Sequence, residues 1–275
     1  MSRTAIITGA SGSMGAAAAE SLASEGWRVI MACRNPEKAG RIRSGILSRH
    51  PSADIEIRHL DLASLCSVRK FAESMDGESI DVLFNNAGTI CREWSMTEDG
   101  YERTFQVNFV GPALLSILLS DRLKRIVSMV SLTCSLTDIS PDYSGDRKEE
   151  FSQLGTYARS KLSLLLFTLE LGRRKNLDVK LSDPGIVNSN MIRMDRWFDP
   201  LADILFRPFC SSPEKGVRPA LNAIRDECPG AEYYKGDKEL SVKRRFISHP
   251  AVSNLYGSIE VLAEGHKKMN QNTIV

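Results

Sequence analysis

The chain has 275 residues, 42% of them apolar, and a formal net charge of only +2, with basic residues scattered along its length. That length and apolar fraction suit one large domain with a substantial core, and the lack of a basic stripe argues against nucleic acid as a partner. No apolar run reaches the roughly 20 residues that span a bilayer. The first residues run into an apolar strand without a secretion-signal layout, and the 6 cysteines include no Cys-x-x-Cys pair; a cytoplasmic protein with free thiols and no metal site is expected.

Short β-rich runs alternate with helical patterns. Strands are predicted at 3–8, 28–33, 54–60, 80–85, 124–131 and 178–183, and helices at 14–25, 37–48, 64–75, 98–121, 154–175 and 213–227. Such alternation implies right-handed crossovers and a doubly wound, Rossmann-type parallel sheet with helices on both faces. Ligands in that α/β architecture bind beyond the carboxyl ends of the strands.

The first strand ends in Thr8-Gly9-Ala10-Ser11-Gly12-Ser13-Met14-Gly15 and leads into a helix through Ala16 to Ala19. Glycines there let the backbone turn tightly and approach a pyrophosphate lying at the positive end of the helix. Gly9, Ser11, Gly12, Ser13, Met14 and Gly15 are therefore candidate dinucleotide contacts; the plain alternative is an ordinary glycine-rich turn. The second strand ends Met31-Ala32-Cys33-Arg34-Asn35, about 20 residues past the loop, where an acid normally accepts a hydrogen bond from the NAD ribose. Cys33 cannot replace a carboxylate, and the guanidinium of Arg34 suits a 2′-phosphate, so NADP (NADPH) is expected over NAD.

His59-Leu60-Asp61-Leu62 follows the third strand, with Ser64 placed to cap the next helix. The fourth strand ends Asn85-Asn86-Ala87-Gly88. Asn108 lies inside the longest predicted helix, where asparagine is a poor helix former and a kink or freed carbonyl would cost stability, so its presence asks for a reason. Ser131 ends the next buried strand, with Ser128, Thr133 and Ser135 as competing hydroxyls.

In Gly155-Thr156-Tyr157-Ala158-Arg159-Ser160-Lys161-Leu162, helical periodicity puts the Tyr157 phenol and the Lys161 ammonium on one face. A tyrosine keeps its proton to about pH 10 unless a positive charge stabilises the phenolate. Lys161 can supply that charge, so Tyr157 can exchange a proton with an alcohol or carbonyl oxygen. A second Tyr-x-x-x-Lys spacing, Tyr234 to Lys238, contains Gly236 and Asp237 and reads as a turn. Ser163 to Leu171 is apolar nearly all round, so part of that surface covers the sheet and the rest is available to a second subunit. The strand at 178–183 ends in Asp183-Pro184-Gly185-Ile186-Val187-Asn188-Ser189.

In this order the segments resemble the short-chain dehydrogenase/reductase family over roughly residues 3–190. Ala32-Cys33-Arg34-Asn35, Asp99-Gly100-Tyr101-Glu102 and Tyr157 through Leu162 resemble its retinol-dehydrogenase-like branch. One departure stands out: the family pattern Thr-Gly-x-x-x-Gly-x-Gly would place glycine at 13, where Ser13 stands, and Gly12 gives a spacing similar to the sugar-nucleotide-modifying members.

The resemblance implies the following roles. Arg34 and Asn35 hold the phosphorylated ribose, Asp61 and Leu62 the adenine, and Asn85 and Ala87 the cofactor, while Asn86 and Gly88 are structural. Pro184, Gly185 and Ile186 meet the nicotinamide carboxamide, and Ser189 lies near the pyrophosphate. Ser131 orients the substrate oxygen, Tyr157 exchanges its proton, Lys161 lowers the phenol pKa and holds the ribose, and Asn108 holds a water that links the lysine to solvent.

The activity so implied is hydride transfer between NADPH and a carbonyl or alcohol of an apolar substrate resembling a retinoid, steroid or long-chain ketone. Two alternatives are a non-catalytic NADP-binding sensor, against which an intact Ser131, Tyr157 and Lys161 argue, and a sugar-nucleotide epimerase or dehydratase. Residues 1–190 form the cofactor-binding and catalytic core. The stretch from Ile139 to Gln153 reads as a polar loop beside the substrate. Residues 191–212, rich in Met, Trp, Phe and Leu as far as Phe209, read as an apolar lid, and 213–275 as one helix, a strand at 232–234 and a polar tail with a mobile end. A homodimer or homotetramer is implied by the family's habit of pairing through the Tyr157 helix. Membrane-surface attachment through the lid is the less favoured reading.

Overall fold

The computed structural model describes residues 2–185 and 212–271. Strands β1 (Thr4–Thr8), β2 (Arg28–Cys33), β3 (Ile55–His59), β4 (Ile80–Asn85), β5 (Leu123–Met129), β6 (Asp178–Asp183), β7 (Glu232–Lys235) and β8 (Lys238–Ser241) form one sheet in the order β3-β2-β1-β4-β5-β6-β7-β8. Neighbours pair in parallel except β7 and β8, which form an antiparallel hairpin. The near-continuous apolar runs of the central strands are what a sheet covered on both faces requires, and β1 is buried at every residue.

Helices α1 (Ser13–Ser24), α2 (Pro36–Arg49) and α7 (Pro213–Arg225) cover one face, where Leu22, Ile46, Val217 and Ile224 share a core with Ile7, Met31 and Phe84. On the other face lie α3 (Leu65–Glu73), α5 (Gly111–Leu119), α6 (Gln153–Lys175) and α9 (Val252–Gln271), with α8 (Arg244–Ile247) beside α6.

The predicted helix 98–121 begins later and is not uniform. Asp99 and Gly100 form a turn, with Gly100 at φ +82°. Glu102 then caps α4 (Arg103–Phe105), its carboxylate accepting from the amides of Thr104 and Phe105 at 2.9 and 2.7 Å. Residues Gln106–Val110 are π-helical before α5 continues. Asn108 lies inside that wide turn, a distortion of the predicted helix at its poorest helix former.

Strand β5 ends at Met129, two residues before the predicted end. Ser131 has left the sheet and opens a short turn of helix over Leu132–Ser135.

The C-terminal expectation needs correction. The Tyr234–Lys238 spacing is the β7–β8 hairpin, turning at Gly236 with φ +60°, but the segment expected as a polar tail contains α9. Leu255, Tyr256, Ile259 and Ala263 of that helix are buried. The Tyr256 ring stacks on Phe167 at 5.7 Å, and Phe167 meets Phe109 edge-on at 6.0 Å. The outer face of α6, which the sequence offered to a second subunit, is thus covered by α9 of the same chain. Among the described residues no helix is long and apolar enough to cross a membrane.

Candidate active site

Strand β1 lies between β2 and β4, so successive crossovers leave it in opposite directions and a crevice opens at the carboxyl ends of β1 and β4. That switch point is where a doubly wound sheet takes its ligand. A cleft of about 760 Å³ occupies it, lined by Gly9, Ser11, Gly12, Ser13, Met14, Gly15, Arg34, Asn35, Asp61, Leu62 and Ala87.

Gly9 turns the chain at φ +64°, and a Cβ there would stand 3.0 Å from Ala87. A Cβ on Gly15 would meet the Gly9 carbonyl at 2.6 Å and Asn86 Nδ2 at 2.8 Å. Gly12 is the N-cap of α1 and has no side chain to cap it; the first turn carries no acid. The first amides of α1 are therefore open to an anion. Ser13 is already the first helical residue, and among the described residues only Asn176 is a non-glycine with positive φ. The backbone at 13 therefore does not require glycine; Ser13 adds a hydroxymethyl group to the cleft wall.

At the outer end of the cleft, Arg34 and Asn35 are exposed, and Asn35 caps α2 by accepting from the Lys38 amide at 2.9 Å. Lys38 also lines the cleft, a contact the sequence reading missed; four residues past Arg34, it falls in the first turn of α2 and returns to the same mouth. Cys33 is buried, and burial pushes its thiol above the usual range. Asp61 lines the cleft and accepts from the Ala63 amide at 2.9 Å, while Ser64 caps α3. Arg103, Thr89 and Val107 line the cleft as well and carry no sequence signal of their own.

The tandem asparagines are placed opposite to expectation. The Asn85 side chain is 1% exposed and donates to Ser116 Oγ at 3.0 Å beneath α5, away from the cleft. Asn86 lines the cleft. It donates from Nδ2 to the Thr8 carbonyl at 2.8 Å, and Thr8 Oγ1 accepts from the amides of Asn86 and Ala87 at 3.0 Å, clamping β1 to the end of β4. Gly88 lines it too, beside both Lys161 and Asn108: a Cβ there would come 3.4 Å from Lys161 Nζ and from Asn108 Oδ1.

Beyond Gly88 lie the four residues singled out for chemistry. Asn108 is fully buried; it accepts from the Thr89 amide at 2.7 Å and donates to the Thr89 carbonyl and Ser160 Oγ at 2.9 and 3.0 Å. Lys161 is 2% exposed and donates to the Met129 carbonyl at 2.9 Å. An ammonium has three N–H donors, and among the described residues no other acceptor meets it. Burial pushes its pKa down to about 8.

Ser131 Oγ accepts from the Thr133 amide at 3.3 Å and lies near enough to the Tyr157 phenol to influence it. Burial, and to a lesser degree Cys134, push that phenol up to about 12, the Ser131 hydroxyl draws it down, and the Asp183 carboxylate adds a smaller upward push. The competing hydroxyls are otherwise engaged or set apart: Ser128 pairs with Thr168 at 2.9 Å, Ser135 with Lys243 at 3.5 Å, and Thr133 Oγ1 is buried without a partner.

Pro184 and Gly185 follow β6, with the Gly185 amide donating to Asp183 Oδ1 at 2.9 Å; Ile186, Ser189 and the lid from 191 to 211 lie outside the described residues. Leu132, Leu136 and Leu154, close in sequence to Ser131 and Tyr157, are 44%, 80% and 53% exposed.

This arrangement offers a loop for a pyrophosphate, cations at the outer end of the cleft and a buried ammonium one helical turn from a phenol. It fits a nicotinamide dinucleotide and proton exchange with a bound oxygen. The comparisons agree. Residues 3–197 match the short chain dehydrogenase family. Human retinol dehydrogenase 13 is 35% identical over 260 residues, covering 86% of this chain and 77% of that protein. Human retinol dehydrogenase 14 is 34% identical over 289 residues, covering 94% and 86%. The crystal structure of an uncharacterized protein from Mycobacterium Paratuberculosis superposes with a TM-score of 0.74 at 30% identity, covering 95% of this chain and 93% of that one. The chain belongs to the short-chain dehydrogenase/reductase family and is an NAD(P)-dependent oxidoreductase of its retinol-dehydrogenase-like branch.

Proposed function

We propose that the protein is an NADPH-preferring oxidoreductase acting on the carbonyl or alcohol group of an apolar substrate, with Tyr157 as proton donor and acceptor. The observation that carries the reading is the buried Lys161, one helical turn past Tyr157 and packed with Asn108 against Gly88, which lines a cleft whose outer end holds Arg34 and Lys38 and no acid at Cys33.

The first amides of α1 bind the pyrophosphate, and Arg34 and Lys38 grip the 2′-phosphate as charge-assisted donors. Lys161 has two further N–H groups to offer ribose hydroxyls. A nicotinamide dinucleotide held by these groups would supply the hydride. Tyr157 gives its proton to the carbonyl oxygen, and Ser131 donates a hydrogen bond to that oxygen as charge develops on it. Asn108 holds the Thr89 and Ser160 segments around Lys161 and thereby keeps the route of proton return in place.

The exposed leucines near Ser131 and Tyr157 support an apolar substrate, and retinol is named for the relatives described above. The test is oxidation of NADPH and of NADH by the purified protein over apolar aldehydes, ketosteroids and diketones, beside Tyr157→Phe. Turnover with NADPH that collapses in Tyr157→Phe while NADPH still binds is the expected result. NADPH binding with no turnover on any substrate favours a sensor instead, and equal affinity for NADPH and NADH removes the role given to Arg34 and Lys38.

A further inference from the structure

We infer that Asp146 is a positioning residue for this site, the carboxylate that fixes the catalytic turn of α6 to the two loops framing it. The inference rests on the oxidoreductase reading for its kinetic consequence.

The 26-residue interval from Ser131 to Tyr157 includes a polar stretch that reads as a loose loop, yet Asp146 within it is only 5% exposed. Tyr143 and Arg159 Nε donate to its Oδ1 at 2.9 and 2.8 Å, and Thr156 Oγ1 and a terminal nitrogen of Arg159 donate to its Oδ2. Four donors, two of them from one guanidinium, satisfy a carboxylate that could not otherwise be buried.

Thr156 and Arg159 flank Tyr157 on α6. Ser152 caps that helix without a side-chain bond, and its first turn contains no acid. Asp146 therefore brings the negative charge that the positive end of a long helix favours.

The same residue reaches two other walls. Its carbonyl accepts from Trp94 Nε1 at 3.1 Å, tying down the loop after Gly88. The Tyr143 ring packs edge-on against Phe105 at 5.3 Å, and a Cβ on Gly145 would come within 3.0 Å of that ring. Phe105 is the residue immediately before the π-helical turn that holds Asn108. Tyr157 and Asn108 are thus both referenced to one carboxylate, although Asp146 does not line the cofactor cleft. A displacement of about 1 Å at a reacting group costs on the order of 100-fold in rate, which sets the scale of the effect.

The test uses the full chain with NADPH, comparing wild type with the isosteric Asp146→Asn by kcat and KM, NADPH affinity, and amide hydrogen exchange. The expected result is a fall in kcat of about 30- to 100-fold, with KM and NADPH affinity changed less than about threefold and faster exchange over residues 153–161. A kcat within about threefold of wild type, or a change confined to KM, overturns the inference. Should Asp146→Asn fail to fold, Tyr143→Phe removes one of the four donors and leaves the ion pair. A threefold to tenfold loss of kcat, about 1 kcal/mol for one hydrogen bond, is then expected, and an unchanged kcat is fatal. If wild type turns over nothing, the oxidoreductase reading falls. The anchor is then judged by exchange alone, and unchanged protection over 153–161 in Asp146→Asn overturns it.

Discussion

Lys161 and Tyr157 stand one helical turn apart, and burial moves both toward their neutral forms: the ammonium down to about 8, the phenol up to about 12. Each shift has a measurable consequence. For Lys161 the folded-state pKa lies below the ordinary value of 10.5, so between pH 8 and 10.5 the unfolded chain binds the extra proton and stability rises with pH. The contribution is complete above the unfolded value and is lost as pH falls through about 8, and its full size is roughly 3 kcal/mol. Unfolding of the cofactor-free protein by denaturant at pH 7 and pH 10 should therefore show wild type gaining on Lys161→Met by a few kcal/mol over that interval; a constant difference between the two proteins would mean that the lysine is not desolvated. For Tyr157 a raised pKa keeps the proton on the phenol at neutral pH, which suits carbonyl reduction and starves alcohol oxidation of its base. Asp183 contributes to that rise from the end of β6, where it also accepts from the Tyr233 hydroxyl at 3.0 Å. Asp183→Asn should lower the phenol pKa and increase the rate of alcohol oxidation at pH 7, read as NADP reduction under saturating alcohol; an unchanged or slower rate removes Asp183 from the electrostatics of the site.

The proposed preference for NADPH rests on the turn from β2 into α2, on what it lacks and what it presents: a buried thiol at Cys33, where an acid would repel a 2′-phosphate, and exposed cations at Arg34 and Lys38. Arg34→Ala and Lys38→Ala should each weaken NADPH binding about tenfold, the scale of one hydrogen bond to a charged group, and leave NADH within about twofold. Equal losses for both dinucleotides would place these cations on the pyrophosphate instead. Arg34 was legible because its distance from the glycine loop is fixed by the length of one βαβ unit; Lys38 was not, because its return to the mouth depends on the helical register set by the Asn35 cap. The tandem asparagines mark a similar boundary. Successive strand residues face opposite sides, so one of Asn85 and Asn86 must leave the cleft, and identical side chains give no hint of which. The structure decides through Ser116, a partner 31 residues from Asn85 that no local pattern connects to it. Asn108 was legible as a residue out of place in a helix but not as a π-helical turn, because that turn is set by the Thr89 and Ser160 groups packed around it.

At the scale of the whole chain, the alternation of strands and helices was legible as far as β6 because each parallel strand is a continuous apolar run bounded by turn residues, and α7 and β7 were legible after it. The closure of the second core was not legible. Its last layer, α9, carries Leu255, Tyr256, Ile259 and Ala263 among polar neighbours, a narrow stripe that reads as a tail until α5 and α6 are seen to lack a cover. The all-round apolar character of α6 is the other half of the same signal: one side meets the sheet and the other meets α9. Tyr256 is the centre of that contact, 2% exposed, stacked on Phe167 at 5.7 Å and lying under the Arg174 guanidinium at 4.3 Å. Tyr256→Ala should therefore cost about 3 to 5 kcal/mol, as for a large aromatic removed from a core, whereas a side chain on a loosely held tail would change stability by less than about 0.5 kcal/mol. The β1–β4 cleft lies at the strand ends and shares no lining residue with this contact, so NADPH affinity measured on the folded fraction should stay within about twofold while the denaturation midpoint falls. Loss of NADPH affinity in step with stability would mean that α9 braces the cofactor site as well as the core. A stability change below about 1 kcal/mol would show that α9 does not close the core of the folded chain.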